Sequence, residues 1–277
     1  MNLKKKKKIN ILPFFMGLIV LLFASPFYLA FLYAFKSQSE SAIDPLGFPE
    51  KLNFDNFINA IRISNFPSAF KNSVIVTVCA TIIVVAVSSL AAYVIARNFK
   101  NKFYSTMYYI FIASIMVPFQ VIMFPIYKMM YNLQLVNTLF GLIITLVGFQ
   151  IGFNVFLYVG FIKSIPLELE EAANIDGCNM IQTFLLVIFP LLKPTTMTVI
   201  VLSALGFWND FVVSIVLVQK EAVSTLPLTQ YRFIGQYSVE INMAFAAVIL
   251  SMIPLFVLYL AAQKYIIAGV TAGAIKG

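Results

Sequence analysis

Residues 168–177 read ELEEAANIDG, which sets four carboxylates, Glu168, Glu170, Glu171 and Asp176, within ten positions. Such a cluster suits recognition of positive charge, because Glu171 offers a carboxylate to an arginine or lysine on another surface. The plainer reading is a solvated interfacial loop whose acids do nothing specific. Elsewhere, Asp210 stands beside Trp208 and Asn209 as the only acid within an apolar stretch long enough to be a membrane span. A charge at the centre of a membrane helix costs roughly 2.5 to 3.5 kcal/mol on insertion scales, so Asp210 is expected to face the bundle interior or water. Gln120, Gln150 and Asn154 are further interior polar candidates. For all of these, pinning one helix to another is the alternative role.

Other chemistries lack their residues. The chain has no histidine, which removes the commonest general base and metal ligand, and no clustered metal ligands, so a membrane-embedded hydrolase is disfavoured. Cys79 lies within an apolar run and Cys178 beside the acidic cluster, so no disulfide is expected. No GxxxxGK[ST] loop is present to cradle phosphates, and ATP hydrolysis would fall to another chain.

The elements that position these residues are membrane helices. Hydrophobic residues make up 61% of the chain and charged ones 11%, against about 45–50% and about 25% in soluble domains. Mean hydropathy is +0.93. Apolar stretches long enough to cross a bilayer run over 11–35, 73–96, 105–129, 135–162, 195–219 and 244–266. In hydrocarbon the backbone must satisfy itself, and the alternation of a β-barrel is missing, so these stretches are predicted to be helices. The expectation is an all-α integral membrane protein with six transmembrane helices and one domain over 1–277. The first apolar run far exceeds the about 7 to 15 residues of a cleavable signal, and it is expected to remain as a span.

The net charge of +8 does not point to nucleic acid, since five of the positive charges form the run Lys4 to Lys8 beside the first span. That run falls on the same side as Arg97, Lys100, Lys102, Lys163, Lys193, Lys264 and Lys276, which the positive-inside rule makes cytoplasmic. Both termini and the acidic cluster are then cytoplasmic. Pro26, Pro118, Pro125 and Pro254 lie in the predicted spans, as ordinary kinks or as points where a pathway opens and closes.

Within 165–194 two short helices are expected. Pro166 suits a first helical turn, and Glu168, Glu170 and Glu171 follow where the helix dipole favours carboxylates. Gly177 can take the left-handed conformation that ends a helix. Ile181, Phe184, Leu185 and Ile188 then recur at helical spacing until Pro190 and Pro194. Ala172 and Ala173 leave the flank of this knob thin enough to enter a groove.

Glu171-Ala172-Ala173, Asp176-Gly177, Ile188, Pro190 and Pro194 closely resemble the "EAA" signature of the permease subunits of binding-protein-dependent ABC importers. Cys178 and Phe189 stand where that family usually has alanine and leucine. The blocks LGFWNDF (205–211), TLPLTQYRF (225–233) and QKYIIAGVTAGAIKG (263–277) are similar to the maltose-type branch, which imports di- and oligosaccharides. The likeness runs from DNFINAI at 55–61 to the C-terminus.

The resemblance implies the fold of a type I ABC importer permease in a bacterial cell membrane. Its partners would be a second permease completing a heterodimer, a separate ATPase dimer using ATP and magnesium, and an extracellular substrate-binding protein or lipoprotein. No cofactor would be bound by this chain. Glu171, Ala172, Ala173, Asp176 and Gly177 would dock into the ATPase, and the glycine-rich tail from Gly269 would reach it, disorder being the tail's alternative. Tyr231, Phe233 and Tyr237 would meet the binding protein or anchor at lipid headgroups. Trp208 would stack on a sugar face while Asn209 and Asp210 bond hydroxyls, with Gln120, Gln150 and Asn154 as further pathway groups. A proton-coupled transporter using Asp210 is the rival class, and an importer of another solute such as peptide the rival substrate. The first leaves the EAA match unexplained; the second does not account for the TLPL and VTAGAIKG blocks.

Overall fold

The computed structural model describes residues 12–235 and 240–274. The lysine run at 4–8, Tyr237 and residues 275–277 lie outside the described residues, as do the side chains from 264 onward. Among the described residues every regular element is helical.

The chain divides into two compact units, Met1–Ile63 with Arg232–Leu250, and Ser64–Tyr231 with Ser251–Gly277. The first contains α1 (Leu12–Phe35), α2 (Gln38–Ile43) and α3 (Asp55–Ile63). The Ser37 side chain caps α2 by accepting the Glu40 N–H. Ala34, Ala60, Phe233, Ala246 and Ala247 form its core. Buried Asn242 ties the end of α1 through Nδ2 to Tyr33 O at 2.8 Å and Lys36 O at 3.0 Å. Phe15–Phe35 is strongly apolar, and few of its residues are buried.

The second unit is built on α4 (Phe66–Arg97), with α5 (Lys102–Ile115), α6 (Phe119–Asn132), α7 (Leu139–Ile162), α8 (Glu168–Ile175), α9 (Met180–Thr183), a π-helical turn (Phe184–Ile188), α10 (Phe189–Leu191), α11 (Lys193–Trp208) and α12 (Val212–Leu217). Then come α13 (Leu226–Gly235) and α14 (Ile241–Ala274), each of which begins in one unit and ends in the other. Most of the packing lies along α4 and α7. One cluster joins Val76, Ala80 and Val84 of α4 to Leu142 and Leu146 of α7, and a second joins Ala92, Tyr93 and Ile95 to Val155, Tyr158 and Ile162. Small residues let the backbones close up, as membrane packing requires. At Gly152 a Cβ would stand 2.6 Å from the Phe111 carbonyl oxygen, so glycine there admits α5 against α7.

Among the described residues three helices, Phe15–Phe35, Phe66–Arg97 and Leu139–Ile162, are each long and apolar enough to cross a membrane. Two bent pairs raise the number to five, and Ile241–Val257 adds a shorter apolar helix within α14. The stretch expected as one span at 105–129 is two helices meeting at 105°. Pro118 is extended rather than helical, and it biases the preceding Val117 away from the α region, which ends α5. The stretch expected at 195–219 is likewise divided. The helix α11 turns by 77° from residues 180–191 at its start and ends at Trp208. Pro26, Pro125 and Pro254 sit inside their helices.

Candidate functional site

The second unit carries two sites, an acidic knob and a polar-walled cavity. In the knob, α8 opens with Glu168, Glu170 and Glu171 in its first turn and ends at Asp176. Gly177 follows at φ +86°, and the Cys178 N–H donates back to Ala173 O at 3.0 Å, a left-handed helix end. Asn179 and Gln182 then cap each other's backbone N–H groups, both at 2.9 Å, to start α9.

The carboxylates part company by face. Glu171, Ala172, Asp176 and Gly177 are exposed, while Ala173 is buried. Glu170 turns inward: Arg97 Nε donates to its Oε1 at 2.5 Å and the Tyr93 hydroxyl to its Oε2 at 2.8 Å. Arg97 also reaches Ile165 O at 3.3 Å. Helical geometry puts Glu170 and Ala173, three apart, on one side and Glu171 on another. Around the exposed acids stand exposed apolar side chains, Leu167, Leu169, Ile175, Met180 and Ile181, and Ile175 is 87% exposed. The knob thus presents charge and grease together, as a docking surface does. Nearby, Lys163 Nζ lies 3.1 Å from the centroid of the Phe99 ring, and partial burial there lowers its pKa below the ordinary lysine value.

The cavity, of about 490 Å³, lies between α6, α7 and the α11–α12 break. Gln120, Gln150 and Asp210 line it together, with the rings of Phe119, Phe149 and Phe207 among its apolar walls. Phe119 and Phe149 meet edge to face at 5.2 Å. Gly206 is what leaves Gln150 its place, because a Cβ there would stand 2.7 Å from Gln150 Nε2. Asp210 is not in mid-helix. Its Oδ1 accepts the Val213 N–H at 3.3 Å, and its Oδ2 accepts both the Ser214 N–H at 2.9 Å and the Ser214 hydroxyl at 2.8 Å. It satisfies the first amides of α12, as a helix cap does.

The other sequence candidates point elsewhere. Trp208 is 6% exposed; its indole donates to Ser251 O at 3.3 Å, and it meets Phe70 edge to face. It lines a separate apolar cavity of about 570 Å³ with Thr77, Thr81 and Pro254. Asn209 turns back to Leu205 O at 3.0 Å. Asn154 is fully buried and donates to Ser203 Oγ at 3.1 Å, joining α7 to α11 outside either cavity. The expected Trp208, Asn209 and Asp210 cluster is therefore divided, because the end of α11 at Trp208 sends the three side chains in different directions. The phenylalanines were missed; their signal is the adjacency of Phe and Gln at 119–120 and 149–150.

No group of metal-binding side chains occurs among the described residues. Two amides, a capped carboxylate and aromatic rings can hold a neutral hydroxylated molecule by hydrogen bonds and stacking.

Residues 85–272 match the family described as "Binding-protein-dependent transport system inner membrane component". The multiple sugar-binding transport system permease protein MsmG of Streptococcus mutans is 39% identical over 279 residues, covering 99% of this chain and 100% of that protein. The melibiose/raffinose/stachyose import permease protein MelC of Bacillus subtilis is 33% identical over 278 residues, with 100% of both chains covered. Among solved structures, a bacterial ABC transporter involved in import of the acidic polysaccharide alginate shares the fold. Its TM-score is 0.82 at 22% identity, over 95% of this chain and 99% of that one.

Proposed function

This chain belongs to the binding-protein-dependent transport system inner membrane components, multi-pass transport permeases, and from that membership we propose that it is one half of the pathway of an ATP-driven oligosaccharide importer. The kinship to permeases named for several sugars supports the carbohydrate class. The cavity supports it independently, since its polar groups suit hydroxyls and its rings suit sugar faces.

The observation that carries the coupling role is the two-sidedness of α8. Glu170 and Ala173 anchor it inward, and Glu171, Ala172 and Asp176 are left exposed on a rigid base. That outward face meets a basic groove of a separate ATPase dimer, which binds ATP and magnesium. The knob and both termini are cytoplasmic, in line with the lysines and arginines of the connections on that side. A second permease completes the pathway, and a binding protein or lipoprotein delivers sugar outside. Alternating access moves the helices around the cavity when the ATPase pair closes. The cap made by Asp210 weighs against a proton-carrier role, because its oxygens hold α12.

The test is co-purification of the ATPase with this chain carrying Glu171→Lys. Loss of the ATPase with the two permeases still paired is the expected result. Full retention of ATPase and of sugar-stimulated hydrolysis would remove α8 as the docking element.

A further inference from the structure

The helix α4 is gripped at both ends by buried polar contacts. Near its start, buried Asn72 donates through Nδ2 to the carbonyls of Ala222 and Ser224, both at 3.0 Å. The adjacent Ser73 Oγ accepts the Leu226 N–H at 2.9 Å. Near its other end, Tyr93 and Arg97 hold Glu170 of the knob, and Arg97 also holds Ile165 O. The Tyr93 ring adds a contact with Phe184 of the π-helical turn, centroids 5.2 Å apart, so both pieces of the knob rest on α4.

Between these grips the helix is unbroken. Its single proline, Pro67, is in the first turn, where no helical hydrogen bond is lost. From Asn72 to Arg97 the rise is about 38 Å at 1.5 Å per residue, more than the hydrocarbon thickness of a bilayer. The neighbouring α7 is likewise unbroken and packs along α4, whereas the remaining routes through the unit are interrupted, by the 105° bend between α5 and α6, the 77° bend before α11 and Pro254 within α14.

We propose that α4 is a strut that makes the cytoplasmic knob and the external segment 222–226 move as one body, with Glu170 and Asn72 as the positioning residues at its two ends. The inference rests on the importer reading. Tilting α8 against α4 would part a largely buried charged pair, taking Glu170 from both Arg97 and Tyr93 and leaving Arg97 with the Ile165 carbonyl alone. Tilting the external segment would strand two carbonyls and an amide. A push on the outward face of the knob therefore arrives at the opposite membrane face. By reciprocity, a binding protein seated on the external segment biases the knob by the same free energy.

The test uses the complete complex in vesicles: this chain, its partner permease, the ATPase and the binding protein. The quantity read is the ratio of ATP hydrolysis with sugar-loaded binding protein to hydrolysis without it, beside the ATPase retained. Glu170→Gln and Asn72→Leu are each expected to keep the ATPase attached and lower that ratio about tenfold. Because both interrupt one strut, the double variant should fall little further than either single. The exchanged pair Glu170→Arg with Arg97→Glu should recover part of the loss. Wild-type ratios in both single variants, or losses that multiply in the double, would overturn the strut. Should Glu170→Gln not assemble, Tyr93→Phe carries the test, since it removes one hydrogen bond and keeps the ring against Phe184. A lowered ratio supports the strut and an unchanged one overturns it. A wild-type complex without sugar-stimulated hydrolysis would instead overturn the importer reading.

Discussion

Asp210 and Ser214 are joined twice, the carboxylate accepting the Ser214 backbone N–H at 2.9 Å and its hydroxyl at 2.8 Å, while the same Asp210 lines the cavity with Gln120 and Gln150. One residue thus starts α12 and forms part of the polar wall. Asp210→Ala removes a cap, which costs about 1 to 2 kcal/mol. It should lower the melting temperature of the purified complex as well as uptake. Asp210→Asn keeps an acceptor oxygen and should keep most of the uptake; a complete loss in Asp210→Asn with normal melting would assign the charge itself a transport role.

Gly206 tests the cavity without replacing any of its polar groups. Alanine there raises helix propensity by up to about 1 kcal/mol, but its Cβ meets Gln150 Nε2 and obliges that side chain to swing. Gly206→Ala should assemble normally and raise the sugar concentration for half-maximal uptake, and Gly206→Val should do so more strongly. Unchanged half-saturation in both would remove Gln150 from the substrate path.

At Gly177 the cost is conformational alone. Its φ is +86°, and nothing lies within 4 Å of where a Cβ would stand. Alanine in that conformation costs roughly 1 to 2 kcal/mol, which should loosen the end of α8 and weaken ATPase retention. Gly177→Asn, which tolerates left-handed backbone better, should retain more ATPase than Gly177→Ala. Equal retention in both would show that the backbone conformation at this turn is unimportant for docking.

Asn154 is the contrasting case. It is buried, and its Nδ2 reaches Ser203 while its Oδ1 has no hydrogen-bond partner among the described residues. Hydrogen bonds between membrane helices average about 0.6 kcal/mol. Asn154→Leu should therefore lower thermal stability slightly and leave sugar affinity unchanged. A marked change in affinity, read from uptake against sugar concentration, would place Asn154 in the path.

The apolar stretches, the knob and its end at Gly177 were legible because each depends on local signals: runs of apolar residues, a glycine after an acidic first turn, prolines beyond. Directions were not. A hydropathy window sums over 105–129 and does not register that Pro118 turns the chain by 105°. Nor does the motif say which carboxylate faces in. Glu170 and Glu171 are chemically alike, and only the placement of Arg97 and Tyr93 on α4, more than 70 positions earlier, sorts them. Asp210 stands out in the sequence as costly in hydrocarbon, but its partner, Ser214, lies four residues on across a helix break that no residue type announces. Trp208 and Asn209 are adjacent to it in sequence, but the end of α11 disperses them.

The most direct measurement is uptake of labelled oligosaccharide into vesicles holding the complete complex, with ATP supplied or withheld and the proton gradient kept or collapsed. The account predicts uptake that requires ATP, the ATPase and the binding protein and that is indifferent to the gradient. Uptake that persists without the ATPase and disappears with the gradient would contradict it, and would make Asp210 the centre of a proton-coupled transporter.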